Sequence, residues 1–160
     1  MIYVGYQGIG KSTISKIYSK CIDLESGNTF VNGKRPENWE ALYVNFALSL
    51  NNQGYDIFIS SHKVVREELN KRNIEFIAIV PDLSLKEDWI HKLHSRYLES
   101  NAEKDYKAYM NAKECYEENI KDILKDSKKS IVIRTMAYIL ADLIYGQSPI
   151  LQYMEVNRTK

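Results

Sequence analysis

The chain has 160 residues, enough for one ordinary domain with a full core and too few for two of comfortable size. It is 44% apolar and 27% charged with a net charge of +1, the balance of a soluble globular protein with no bulk electrostatic footprint for nucleic acid or a membrane surface. Its two cysteines, Cys21 and Cys115, lie far apart without a CxxC or Cys/His cluster, so neither zinc nor a disulfide framework is expected and both read as reduced, buried thiols.

The periodicity predicts a short buried strand over residues 2–4, then a glycine-rich run and a helix over 11–20 with Ile14 and Ile17 one turn apart. No basic leader precedes the strand and no stretch approaches the roughly 18 apolar residues of a membrane span, so a cytoplasmic protein is expected. The abundance of Tyr, Ile, Asn and Lys fits AT-rich coding, as in a low-GC bacterium or its phage. A second strand is expected over 21–24, followed by a polar loop through Asn32-Gly33-Lys34. Pro36 suits the first turn of a second helix that carries Trp39, Leu42, Tyr43, Phe46, Ala47 and Leu50 and closes at Gly54. Strand 55–59, helix 64–72 and strand 75–80 follow, the last stopped by Pro81. Two charged helices over 85–98 and 102–124, a strand over 130–133 and a helix over 135–145 complete the pattern, and the tail from Gln147 has none. Alternation of this kind predicts one α/β domain over residues 1–160, a three-layer fold whose five-stranded parallel sheet is flanked by helices, with ligands beyond the carboxyl ends of the strands.

The run Gly5-Tyr6-Gln7-Gly8-Ile9-Gly10-Lys11-Ser12-Thr13 fits G-x-x-x-x-G-K-[ST], with the strand before it and the helix after it that the motif requires. Glycines let backbone N–H groups turn inward around a phosphate, and the positive end of the helix dipole adds to them. Lys11 is then expected on the β- and γ-phosphates of ATP and Ser12 on Mg²⁺. A glycine-rich turn that merely joins strand to helix is the plainer alternative.

What lies at the other strand ends distinguishes the activities such a loop supports. The third strand ends at Ser60-Ser61-His62, without the acid that a motor ATPase places beside its metal, and there is no NKxD-like guanine-reading tetrapeptide. The acids follow the second strand as Asp23-Leu24-Glu25, where alternate residues share a face. Simple solvation of both carboxylates is the alternative. The arrangement resembles the D-x-D of shikimate kinase and the strand-end acids of other small P-loop kinases. That resemblance implies Asp23 near Mg²⁺ and Glu25 holding or deprotonating the attacking hydroxyl. The segment from Ser60 to Leu69 is similar to the strand-to-helix segment of gluconate kinases. Leu85 to Arg96 resembles the lid helix of nucleoside monophosphate kinases, which implies a lid region at about 84–101. Lys92 and Arg96, four apart, share a helix face and can close onto the transferring phosphoryl group, with Arg96 neutralising charge in the transition state. An ordinary solvated face is the alternative. The resemblance extends to about Arg96, but it lacks the several arginines of nucleotide kinase lids and the Asp-Gly of adenylate kinases.

The same resemblance implies an acceptor phosphate at Arg35 and Arg66, and an adenine near Arg134. Guanidinium groups suit a bidentate monophosphate, whereas Ser60, Ser61 and His62 suit an acceptor that offers hydroxyls. The expectation is a kinase moving the ATP γ-phosphate to a nucleotide or deoxynucleoside monophosphate, as a monomer or homodimer with no membrane or nucleic-acid partner. Kept beside it are a kinase of a hydroxylated small metabolite or of a hydroxyl on a modified DNA base, and a non-catalytic module that responds to ATP. His91 and His94 lack zinc spacing with His62.

Overall fold

The computed structural model describes residues 1–146. Its sheet is built from five short strands, β1 (Ile2–Gly5), β2 (Cys21–Asp23), β3 (Asp56–Ser60), β4 (Ile77–Pro81) and β5 (Lys129–Ile133). They are hydrogen-bonded in the order β2-β3-β1-β4-β5, and every pairing is parallel. The central strands read as apolar runs because helices cover both their faces. Val4, Ile57, Phe58, Ile59, Ala78, Ile79 and Val80 are fully buried, and the Tyr3 and Phe58 rings stack across the β1–β3 pair with centroids 4.9 Å apart.

The connecting helices are α1 (Lys11–Ile17), α2 (Trp39–Asn52), α3 (Lys63–Lys71), α4 (Lys86–Ser100), α5 (Glu103–Asp126) and α6 (Leu140–Tyr145). The chain leaves β1 through α1 toward β2, but leaves β3 through α3 toward β4, in the opposite direction along the sheet. Right-handed crossovers then put α1 on one face and α2, α3 and α5 on the other. A crevice opens where the two directions diverge, at the carboxyl ends of β1 and β3. α5 departs from helical geometry at Cys115. Its first half reaches the β1–α1 loop through Ala108 and Asn111, and its second half is tied to α3 through Asp122 and Asp126. No helix among the described residues is long and apolar enough to cross a membrane.

Several local expectations need correction. The helix after the glycine run ends at Ile17, and Tyr18 is already extended. Pro36 precedes the second helix, which starts at Trp39 behind a left-handed Asn38, and a tight Val31–Lys34 bridge lies just upstream. That helix turns Tyr43, Val44 and Ala47 to the sheet and leaves Leu42 and Phe46 exposed, so its apolar spacing is spread over two faces. Pro81 does not stop β4 but is its last residue, paired with Ile133. The final helix begins only at Leu140, and Cys115 is half-buried where Cys21 is buried. The tail from Gln147 lies outside the described residues.

Candidate functional site

Between β1 and α1 the backbone makes a tight loop whose conformation depends on glycine. Gly10 sits at φ +106°, a region that side chains disfavour, and a Cβ on Gly5 would lie 2.4 Å from Ile9 Cδ1. Two aromatic donors from elsewhere in the fold hold the loop. Trp89 Nε1–H, from α4, donates to the Gln7 carbonyl at 2.9 Å, and the Tyr138 hydroxyl, from the β5–α6 connection, donates to the Ile9 carbonyl at 2.8 Å. Since no peptide among the described residues is cis, the N–H groups of Gly8 and Gly10 point away from those carbonyls. Among the described residues no protein acceptor takes the N–H groups of Gln7 through Thr13. The Gln7 side chain faces outward and donates to the Ala108 carbonyl at 2.9 Å and to Asn111 Oδ1 at 3.2 Å. The loop therefore presents a run of unspent N–H donors, the kind of group that can receive an anion, and is fixed from outside by three elements.

It opens into a cleft of about 520 Å³, within the range of small-molecule sites. Ser12 and Thr13 line it from α1, Asp23 and Glu25 from the exit of β2, and Ser60 from the exit of β3. Tyr43 joins the two exits by donating to the Leu24 carbonyl while accepting the Ser60 N–H at 3.1 Å. The Lys11 ammonium lies deep in the cleft, where desolvation lowers its pKa against the pull of Asp23 and Glu25. Burial raises the pKa of Asp23, a tendency that Lys11 partly offsets. Each of these two groups thus lacks a full complement of partners for its charged form.

Cations close the other side. Lys92 is held between the Trp89 and Tyr138 rings, its Nζ 4.3 Å and 5.1 Å from their centroids and 3.2 Å from the Tyr138 hydroxyl to which it donates, and desolvation lowers its pKa. Arg96 lines the cleft and is paired through Nε with Asp105 at 2.9 Å. Lys104 lies opposite Glu25 at 3.7 Å. The arrangement can accept a polyanion and, through Ser12, Asp23 and Glu25, present hard oxygen donors to a divalent cation. No group of three or more metal-ligating side chains occurs among the described residues.

No protein-family model matches the chain, and no curated protein is significantly similar to it. The site has to be judged on its own geometry.

Of the residues singled out in the sequence, the cleft gathers Gln7, Gly8, Gly10, Lys11, Ser12, Thr13, Asp23, Glu25, Ser60, Lys92 and Arg96, with Gly5 and Ile9 shaping the loop behind them. Arg35 stands just outside, stacked on Trp39 (3.9 Å to the ring centroid) and Phe30 (4.6 Å) and donating to Thr29 Oγ1 at 3.2 Å and Ser26 Oγ at 3.3 Å. His62 meets the same Trp39 edge-on and has its pKa lowered by desolvation, then by Arg35 and Lys11. Arg66 is not brought to the cleft. Its guanidinium is buried between α3 and α5, bonded to the carboxylates of Asp122 (2.9 Å) and Asp126, to the Asp122 carbonyl and to the Ser61 carbonyl, which leaves it no fork to offer an acceptor. Ser61 serves that contact and does not line the cleft. Arg134 is exposed and faces Asp82 at 3.6 Å.

Trp89, Tyr138, Lys104 and Asp105 belong to the site without having been singled out, and Tyr43, read as a helix position, proves to join two strand exits. Helical spacing makes Trp89 look like core, which it also is. Tyr138 and Lys104 act across long sequence separations, and Asp105 through the α4–α5 corner, none of which a local pattern encodes.

Proposed function

We propose that the chain is a Mg²⁺-dependent phosphotransferase that moves the ATP γ-phosphoryl group to a nucleotide or deoxynucleoside monophosphate, a small P-loop kinase. The observation that carries this reading is the convergence, in one cleft, of the open N–H cradle and Lys11, the acids Asp23 and Glu25, and the cations Lys92 and Arg96. A binding module needs the cradle alone. Acids facing cations across a phosphate-sized space suit transfer, in which charge must be neutralised on the moving group while the acceptor is oriented.

In this mechanism the cradle holds the β-phosphate, Lys11 spans β and γ, and Arg96 with Lys92 faces the γ-oxygens on which charge accumulates. Mg²⁺, held by Ser12 and Asp23 with phosphate oxygens, would neutralise charge on the β- and γ-phosphates. Acceptor oxygen attacks the γ-phosphorus in line as the bond to the bridging oxygen of ADP breaks. A monophosphate acceptor attacks through an oxygen that is already ionised, so Glu25 then only orients it. Arg35, rigid on its two aromatic rings, is the guanidinium left to hold that phosphate.

One observation favours a second reading, a hydroxyl-bearing metabolite as acceptor. With Arg66 committed to α5, Arg35 is the one left of the two arginines expected at the acceptor, while Glu25 in the cleft could take a hydroxyl proton. ADP release measured across nucleoside and deoxynucleoside monophosphates decides between them. Stimulation by one of these, with turnover largely kept in Glu25→Gln, is expected. Stimulation only by a polyol or sugar acid, with turnover collapsing in Glu25→Gln, would select the second reading. ATP binding with no acceptor able to speed turnover would leave the binding module.

A further inference from the structure

Arg96 is long, lies on an exposed face of α4, and must nevertheless present its fork to one point in the cleft. The corner between α4 and α5 supplies the means. Asn101 takes a left-handed conformation (φ +52°) that ends α4, and the chain re-enters a helix within two residues. The Ser100 hydroxyl accepts the Ala102 N–H at 3.1 Å and donates to the Asp105 carboxylate. Asp105 sits in the first turn of α5, where the helix dipole favours a negative charge, and it is 95% shielded from solvent, with 5% of its surface exposed. Its other oxygen forms an ion pair with Arg96, 2.9 Å from Nε.

A carboxylate so placed is costly unless it is paired, and its one ionic partner among the described residues is an arginine that lines the cleft. The ion pair's closest approach is at Nε, and no hydrogen bond among the described residues occupies a terminal nitrogen. Both terminal nitrogens stay available for the bidentate geometry that phosphoryl oxygens accept. Fixing one edge also removes much of the rotameric freedom that a long side chain would otherwise lose on binding.

We infer that Asp105 is the positioning residue for Arg96, held in turn by Ser100, so that the α4–α5 corner delivers a preoriented guanidinium to the transferring phosphoryl group. This rests on the phosphotransferase reading above. Asp105 borders the cleft, and the role assigned to it runs through its ion pair with Arg96.

The test is a double-mutant cycle on the full chain with Arg96→Ala, Asp105→Asn and the combined variant. It reads kcat, acceptor KM and, separately, affinity for a non-hydrolysable ATP analogue by calorimetry. Asp105→Asn is expected to lower kcat on the order of 10- to 100-fold, the cost of a loosened supporting contact, with little change in KM. In the Arg96→Ala background the same change is expected to cost almost nothing further. An equal loss in both backgrounds would make Asp105 a helix-end residue only and overturn the inference. Should Asp105→Asn fail to fold, Ser100→Ala replaces it with a smaller kcat loss that must likewise vanish in Arg96→Ala. Wild-type protein that binds the analogue but transfers phosphate to no acceptor overturns the function itself. In that case the coupling is read in analogue affinity, and its absence there sinks the positioning role as well.

Discussion

The two walls of the cleft are built in opposite ways. The donor wall, Gln7 to Thr13, is a short run whose own residues supply the curvature and the charge, and side chains from α4, α5 and the β5–α6 connection only pin it in place. The proposed acceptor side, Ser26 to Trp39, borders the cleft through Ser26, has a single 3₁₀ turn and one isolated bridge, exposes Phe30 and Val31, and gains its order from Arg35 stitching Ser26 and Thr29 to Trp39. On the proposed reading, the phosphate wall is written in a local motif but pinned by residues far away in sequence. The proposed acceptor side is held by contacts within its own short segment, and its chemistry is set by the one cation those contacts fix there.

The largest effect should come from breaking the donor wall at its charge. Lys11→Ala is expected to lower kcat/KM by about 10²- to 10³-fold, the scale of one preorganised charge in a water-poor site, with folding intact by thermal melting. Retained turnover would remove Lys11 from the chemistry.

Next come the two arginines, which the comparison separates sharply. Arg66→Met removes the ion pairs to Asp122 and Asp126 at the α3–α5 contact, and because both carboxylates keep contact with water the loss read by unfolding in urea should be about 1–2 kcal/mol, with acceptor KM little changed. Arg35→Met should do the reverse, raising acceptor KM about tenfold for a monophosphate while costing little stability. If the two variants behaved alike, the division between a packing arginine and a binding arginine would fall. A milder probe is Trp89→Phe, which keeps most of the ring volume but removes the donor to the Gln7 carbonyl. About 1 kcal/mol, or a five- to tenfold weaker affinity for the ATP analogue, is expected by calorimetry.

This asymmetry also explains what the sequence could reveal. The five parallel strands, the glycine loop and the Asp23/Glu25 pair were legible because apolar runs, motif spacing and strand alternation are local signals, whereas the spatial order of the strands was not read from them. The buried face of α2 was misjudged because Leu42 and Phe46 keep helical spacing while facing solvent. Arg66 looked free to bind for a related reason. Its partners Asp122 and Asp126 lie 56 and 60 residues away, on a helix whose departure at Cys115 decides what it faces. Lys104 and Asp105 carry no pattern of their own and enter the site only because the α4–α5 corner folds back over the cleft.

The smallest effect is a pH dependence that separates function from stability at Asp23. Burial holds its pKa above the ordinary carboxylate range, so the empty protein binds more protons at this group than the unfolded chain does. Its ionisation then costs stability as pH rises from the unfolded value toward the raised folded one, and the cost persists at neutral pH. Asp23→Asn should therefore melt slightly higher than wild type at neutral pH, with the difference shrinking as the pH falls through that window. Cation binding runs the other way. Mg²⁺ must displace the proton, so Mg²⁺-dependent affinity for the ATP analogue should weaken as pH drops through the raised pKa in wild type and stay flat, at a weaker level, in Asp23→Asn. Matching acid limbs in the two proteins would exclude Asp23 as the cation's carboxylate. Opposite signs in melting and in cation affinity would mark it as a residue kept for binding at the expense of the fold.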